Sequence, residues 1–118
     1  MEHTWFHGTS SESGLESGDI MDPSYGHFPD LDISVVWATS DESHARSFAV
    51  STAALDDGDP VVWTLELTSG ADVLTLSEFD AEAISEFAAE GGDAVIIEKG
   101  ENGKPEMAIL TRFAARVR

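Results

Sequence analysis

The fold of this chain is set by two stretches, the first of which is Trp5-Phe6-His7-Gly8-Thr9. This stretch predicts a short strand that ends in a polar corner, where a glycine without a Cβ would let a ligand come close to the backbone. The second stretch covers residues 35–49 and begins Val35-Val36-Trp37-Ala38-Thr39. Its apolar start and its polar Ser-Asp-Glu continuation predict a strand that runs directly into a helix. A strand with a polar corner and a strand–helix unit together indicate an α+β protein.

Working outward from these stretches, the hydrophobic pattern predicts a single α+β domain over residues 1–118. Strands are predicted at 3–8, 33–38, 61–67, 93–98 and 105–110, with short ones at 72–75 and 113–117. The two main helices are predicted at 41–54 and 77–90. Residues 10–18 are small and polar and predict a loop or one irregular helical turn, 19–32 predict a long loop, and 99–105 predict a hairpin turn. We therefore expect a largely antiparallel sheet with two helices.

Local signals refine the two helices. Thr39 with Glu42 matches a capping box at the start of the first helix, and Thr75 or Ser77 would cap the second. The inward-facing residues of the first helix are expected to be Ala45, Phe48, Ala49 and Thr52, and those of the second Phe79, Ala83, Ile84, Phe87 and Ala88. Gly91-Gly92 is expected to end the second helix. His27 and His44 are interpreted as surface residues, and Trp63 as a core residue.

The charge of the chain is extreme, since 23 acidic residues face 6 lysines and arginines for a net charge of −17. Such a surface disfavours direct binding to nucleic acid or to anionic lipid. Adaptation to high salt, a DNA-mimicking acidic decoy and simple solubility all remain open as explanations.

Composition excludes several other classes. The absence of cysteine excludes disulfides and thiolate metal sites. His3 and His7 lie on a predicted strand without partner histidines, so no metal site is predicted. The sequence has no P-loop, Rossmann or Gly-x-Ser-x-Gly motif. No stretch is long and apolar enough for a membrane span and no signal peptide is visible, so we expect a cytoplasmic protein.

In its order of motifs the chain resembles the ADP-ribosyltransferase superfamily. Members carry His-Gly-Thr or His-Gly-Ser on an opening strand, here His7-Gly8-Thr9, and Tyr-Phe-Thr on a second strand, here Trp37-Ala38-Thr39. A pattern like Ala-x-x-Tyr-Ala follows on a helix, here residues 45–49. An apolar strand after a Gly-Tyr-Asp-like turn corresponds to residues 92–97, and a glutamate that opens the last hairpin strand corresponds to Glu106. The resemblance covers nearly the whole chain, with tryptophan at position 37 where the family usually has tyrosine.

The resemblance implies a split, largely antiparallel sheet around an NAD cleft, and ADP-ribosyl transfer or NAD glycohydrolysis as the activity. It assigns the cofactor-binding roles to His7, Gly8, Thr9, Trp37 and Thr39, and the catalytic roles to Glu106 and His7. His7 would donate a hydrogen bond to a ribose hydroxyl, Gly8 would bind the carboxamide through its backbone, and Trp37 would stack on the nicotinamide. Glu106 would bind the nicotinamide-ribose 2′-hydroxyl and stabilise the oxocarbenium-like state. We expect His7, Trp37 and Glu106 to converge on one cleft, with Tyr25, His27 and Phe28 as a lid.

Two questions stay open at the level of sequence. The acceptor of the ADP-ribosyl group could be protein, DNA, RNA or water, and the biological role that of a toxin, a viral effector or a housekeeping modifier. The alternative function is a non-catalytic acidic module, either a nucleotide binder or an inhibitor that mimics DNA. An enzyme should depend on His7, Trp37 and Glu106, whereas a decoy should depend on carboxylates spread over its surface.

Overall fold

A computed structural model describes residues 4–13, 15–16, 18, 21, 33–100 and 103–118. Within these ranges, seven strands and two α-helices follow the order β1 (Trp5–Ser10), β2 (Val36–Thr39), α1 (Glu42–Asp56), β3 (Pro60–Leu67), β4 (Val73–Glu78), α2 (Ala81–Ala89), β5 (Ala94–Lys99), β6 (Glu106–Ile109) and β7 (Ala115–Val117). A short 3₁₀ helix, Ser11–Ser13, follows β1. The α+β class, the two helices and the predicted strands are confirmed, and each boundary lies within a few residues of its prediction.

The strands form one sheet in the order β4-β5-β6-β2-β1-β3-β7. The β4–β5 pair is parallel, and the other described pairs are antiparallel. The hairpin predicted at 99–105 joins β5 to β6, and β7 is an edge strand as expected. The sheet is continuous rather than divided, but β1 and β2 are joined by the single residue pair Phe6–Thr39. The sheet is therefore weakest between these two strands.

Both faces of the central strands are buried. Along β6, Met107 and Ile109 belong to one core cluster with Trp5 and Leu65, while Ala108 belongs to a second cluster with Ile84 of α2. Side chains alternate between the faces of a strand, so a strand covered on both sides needs apolar residues at every position. This explains the continuous apolar runs of β5 and β6.

The caps of both helices differ from the predictions. The N-cap of α1 is Asp41, whose side chain accepts a hydrogen bond from the Ser43 backbone, so the predicted Thr39–Glu42 box is wrong. The N-cap of α2 is Asp80 rather than Thr75 or Ser77. Those two residues lie within β4, which remains paired with β5 as far as Glu78 and delays the helix. At the other end, Gly91 and Gly92 donate to the carbonyls of Ala88 and Phe87, which confirms the predicted glycine stop.

The packing of α1 also differs from the prediction. Its buried stripe consists of Ala45, Ala49 and Ala53, whereas Phe48 is 61% exposed. Helix α1 lies so close to β1 that only small side chains fit between them, and the large ring of Phe48 is directed outward. Phe79 was likewise predicted to face the core and is 45% exposed. Among the described residues no helix has the length and apolar character needed to cross a membrane.

Salt should stabilise the fold if the charge of −17 is an adaptation to high salt. We expect the melting temperature to rise when KCl increases from about 0.1 M to above about 1 M, because screening weakens repulsion among carboxylates. Thermal unfolding followed by circular dichroism measures this shift. KCl is preferable to a sulfate salt, because sulfate strengthens apolar burial in any protein. A melting temperature that stays flat or falls would argue against adaptation.

Candidate active site

A cleft of about 850 Å³ opens between the first turns of α1 and the ends of the central strands. This volume lies within the range of about 300–1,000 Å³ that is usual for small-molecule sites. The residues that line it come from β1, β2, α1, β5 and β6 and from the connection between β4 and α2, and they include Gly8, Trp37, Thr39, His44, Phe48 and Glu106. Four of these were assigned to an NAD site from the sequence. The site therefore draws on residues from nearly the whole length of the chain.

Strand register brings these residues together. Thr39 on β2 pairs with Phe6 on β1 and with Glu106 on β6, so the three residues form one row across the sheet. Phe6 and Glu106, at the two ends of the row, are separated by two strand spacings, a distance of about 10 Å. Trp37 is two residues before Thr39, so its side chain lies on the same face. This register accounts for Trp37 and Glu106 lining one cleft.

The carboxylate of Glu106 is held in a restricted space. Its side chain is 15% exposed, and a Cβ at Gly100 would lie 2.4 Å from its Cγ. Glycine at position 100 therefore leaves the volume that the Glu106 side chain occupies. Ser40 adds a restraint, since its backbone N–H and its hydroxyl both donate to the carbonyl of Pro105, the residue before Glu106. These contacts fix the start of β6 against the end of β2.

His44 is a site residue that the sequence interpretation placed on the surface. Its Nε2 lies 3.7 Å from Oε1 of Glu106, and its side chain is 33% exposed. The residue lies on the first turn of α1, which leads directly out of β2. Since β2 pairs with β6 next to Glu106, the short Ser40-Asp41 connection delivers His44 to the same place. The strand–helix junction is the sequence signal that could have identified it.

Aromatic rings also line the cleft. The rings of Trp37 and Phe79 have centroids 6.4 Å apart at an interplanar angle of 40°. Phe48 and Phe79 also line the cleft although both are largely exposed. Exposed aromatic rings in a concave site can stack on a planar ligand.

His7 lies beside the cleft rather than in its lining. Its Nδ1 is 2.9 Å from the backbone carbonyl of Trp37. A carbonyl only accepts, so Nδ1 carries the proton, and Nε2 of the neutral ring is an acceptor. Burial lowers the pKa of His7, and its hydrogen bond to the carbonyl of Trp37 partly opposes this shift. With its Nδ1–H bonded to the Trp37 carbonyl, the neutral ring has only its Nε2 acceptor left for a further partner.

Gly8 serves a structural purpose that the sequence did not reveal. A Cβ at this position would lie 1.8 Å from the carbonyl oxygen of Ala45 and 2.9 Å from the backbone N of Ala49. The missing side chain thus makes space for α1, and the backbone of Gly8 still borders the cleft.

The remaining predicted residues have varied positions. Thr39 lines the cleft, and its hydroxyl accepts from the backbone N–H of Asp41 at the start of α1. Thr9 is buried on β1 and does not belong to the cleft lining. The proposed lid residues Tyr25, His27 and Phe28 lie outside the described residues. Within the described part of the chain, no three His, Asp or Glu side chains cluster as a metal site requires.

Acid should weaken the folded state through His7. Its pKa is below the ordinary 6.5 in the folded protein, so the unfolded chain binds more protons between the two values. Stability is therefore lost as the pH falls through this window, and the loss is complete below the folded pKa. We expect wild type to lose more thermal stability than His7→Asn between about pH 7.5 and 5. Asparagine retains a donor for the Trp37 carbonyl but does not titrate, and parallel curves for the two proteins would contradict the assignment.

No family model, curated protein or solved structure matches this chain.

Proposed function

We propose that the chain is an ADP-ribosyltransferase-like enzyme that cleaves NAD and transfers the ADP-ribosyl group to an acceptor or to water. The observation that carries this proposal is the shared cleft of Trp37, Glu106 and the Gly8 backbone. The single residue pair between β1 and β2 also supports a likeness to the split sheet of that superfamily.

The residues of the cleft suit the parts of NAD. Trp37 offers a flat ring for the nicotinamide, and the Gly8 backbone offers hydrogen bonds for its carboxamide. Lys99, on β5, is a cation in the lining that can attract the pyrophosphate of the ligand. His7 holds the Trp37 backbone through its Nδ1–H and so positions the ring that would stack on the nicotinamide.

Glu106 supplies the chemistry of the first step. The bond between nicotinamide nitrogen and ribose C1′ breaks, and neutral nicotinamide leaves with the bonding pair. Positive charge then develops at C1′ and the ring oxygen. A fixed carboxylate close to the 2′-hydroxyl stabilises this charge, and partial burial strengthens the interaction.

Release of nicotinamide from NAD tests the proposed activity. The purified protein is incubated with NAD labelled in its nicotinamide, at about 0.1 M and above about 1 M KCl because of the charge. We expect nicotinamide to be released in at least one of these conditions, and separation of the products distinguishes free ADP-ribose from a modified macromolecule. If the protein neither binds nor cleaves NAD at any salt concentration, the non-catalytic acidic module is the better account of this chain.

A further inference from the structure

His44 lies next to Glu106 in the lining of the cleft. Nε2 of His44 and Oε1 of Glu106 are 3.7 Å apart, which is longer than a hydrogen bond. An oxygen atom beside them can lie at a hydrogen-bond distance of about 2.8 Å from both atoms at the same time. A small hydroxyl group can therefore contact both side chains at once.

The two side chains differ in their access to solvent. The Glu106 side chain is 15% exposed, whereas the side chain of His44, on the first turn of α1, is 33% exposed. Glu106 thus packs against Gly100, while His44 lines the cleft and is partly exposed to solvent. A proton taken up by His44 can leave to water without passing through the protein.

We propose that His44 is the general base that removes the proton from the acceptor, and that the acceptor is a hydroxyl group, of water or of an alcohol. This inference rests on the proposed function. As the bond from C1′ to nicotinamide breaks, a lone pair of the acceptor oxygen forms a bond to C1′. The acceptor proton passes to Nε2 of His44 and then to solvent. The balanced overall reaction converts NAD and a hydroxyl compound into nicotinamide, the ADP-ribosyl product and one proton.

Glu106 is less suited than His44 to take this proton. It must remain negatively charged to stabilise the cationic sugar, and a carboxylate is the weaker base near neutral pH. The carboxylate of Glu106 lies 3.7 Å from Nε2 of His44, so it faces the imidazolium that forms when His44 takes the proton. Among the described residues, Lys99 is the other charged group of the cleft lining, and Asp41 and Glu42 precede His44 at the start of the same helix.

Azide separates a base from a merely structural residue, because azide is an anion that attacks without a proton to remove. We expect His44→Gln to cleave NAD in water about 10²–10⁴-fold more slowly than wild type. Added azide should restore cleavage in this variant and give ADP-ribosyl azide. Glu106→Gln should not be restored, because it lacks the group that stabilises the sugar cation. Glu42→Gln is the matched control on the same helical turn, since its side chain is exposed and outside the cleft lining.

The source of the hydroxyl is distinguished by products. In buffer alone the product is free ADP-ribose, and with methanol present it is partly methyl ADP-ribose. If His44→Gln forms neither free ADP-ribose nor methyl ADP-ribose, the result supports His44 as the base for both water and alcohol acceptors. Retention of either product at the wild-type rate would overturn the proposal.

The remaining outcomes are also decisive. A His44→Gln variant that binds NAD and stays inactive with azide would show that His44 does not act as a base. A variant that no longer binds NAD would assign His44 to binding instead. Wild type that releases no nicotinamide would remove the proposed function and this inference together, whereas active wild type with active His44→Gln removes only the inference.

Discussion

We expect Glu106→Gln to lower the rate of NAD cleavage about 10²–10³-fold while NAD affinity and the fold stay nearly unchanged. Glutamine retains the size of the side chain and one acceptor oxygen, so contacts to the bound ground state persist. Only the negative charge is lost, and its partner is the cationic sugar that appears in the transition state. The loss should therefore fall on kcat rather than on binding.

Nicotinamide release under single-turnover conditions and calorimetric titration with NAD measure the two effects separately. Glu98→Gln is the matched control, because it makes the same chemical change at an exposed position on neighbouring β5. This control should retain the wild-type rate. An active Glu106→Gln variant, or one that has lost both rate and affinity, would remove Glu106 from the chemistry and leave it with a structural role.

Much of the fold could be predicted because local patterns and tertiary structure agree. The apolar run of β5 and the glycines of the following turn define a hairpin without any knowledge of the rest. Gly91-Gly92 ends α2 because the helix stop depends on backbone conformation at that point alone. Features determined by neighbouring residues in the chain were therefore accessible from sequence.

Features that depend on the distance between helices and strands could not be predicted from the sequence. Phe48 has the spacing of an inward-facing residue, but α1 packs backbone-to-backbone on Gly8 and leaves no space for a ring. The N-cap of α2 depends on how far β4 continues, and this is decided by its pairing with β5. Periodicity gives the face of an element but not its distance from the next one.

In the candidate site, too, some features could be read from the sequence and others depend on contacts between distant residues. That Trp37 and Thr39 share a face follows from strand alternation, which can be read from the sequence. That Glu106 and His44 join them depends on the pairing of Thr39 with Glu106, a contact between residues far apart in the chain. The ordered motifs predicted Glu106 through a family resemblance, and no comparable motif contained His44.

The largest effect on stability is expected from Gly8→Ala. The new Cβ would lie 1.8 Å from the carbonyl oxygen of Ala45, which is far inside van der Waals contact. This oxygen belongs to the helix backbone, so α1 must move as a body or β1 must bend. Overpacking of a core typically costs about 1–3 kcal/mol, and a clash between backbones belongs at or above the upper end. For a domain stable by about 5–15 kcal/mol, such a loss should lower the melting temperature by roughly 10 °C or more.

Two further variants identify the cause of this loss. Gly70→Ala introduces the same methyl group at a positive φ of 86° with no atom within 4 Å, and it should cost only about 1–2 kcal/mol of backbone strain. Adding Ala45→Gly to Gly8→Ala should not restore stability, because the clashing atom is the carbonyl oxygen that every residue has. Recovery in this double variant would show that the side chain of Ala45 limits the approach of α1. A Gly8→Ala protein as stable as wild type would mean that α1 does not pack on β1 at this distance.

The same substitution should also affect the cleft, because helix α1 carries His44 into it. Displacement of α1 should move His44 away from Glu106, so the folded fraction of Gly8→Ala should lose NAD cleavage as well as stability.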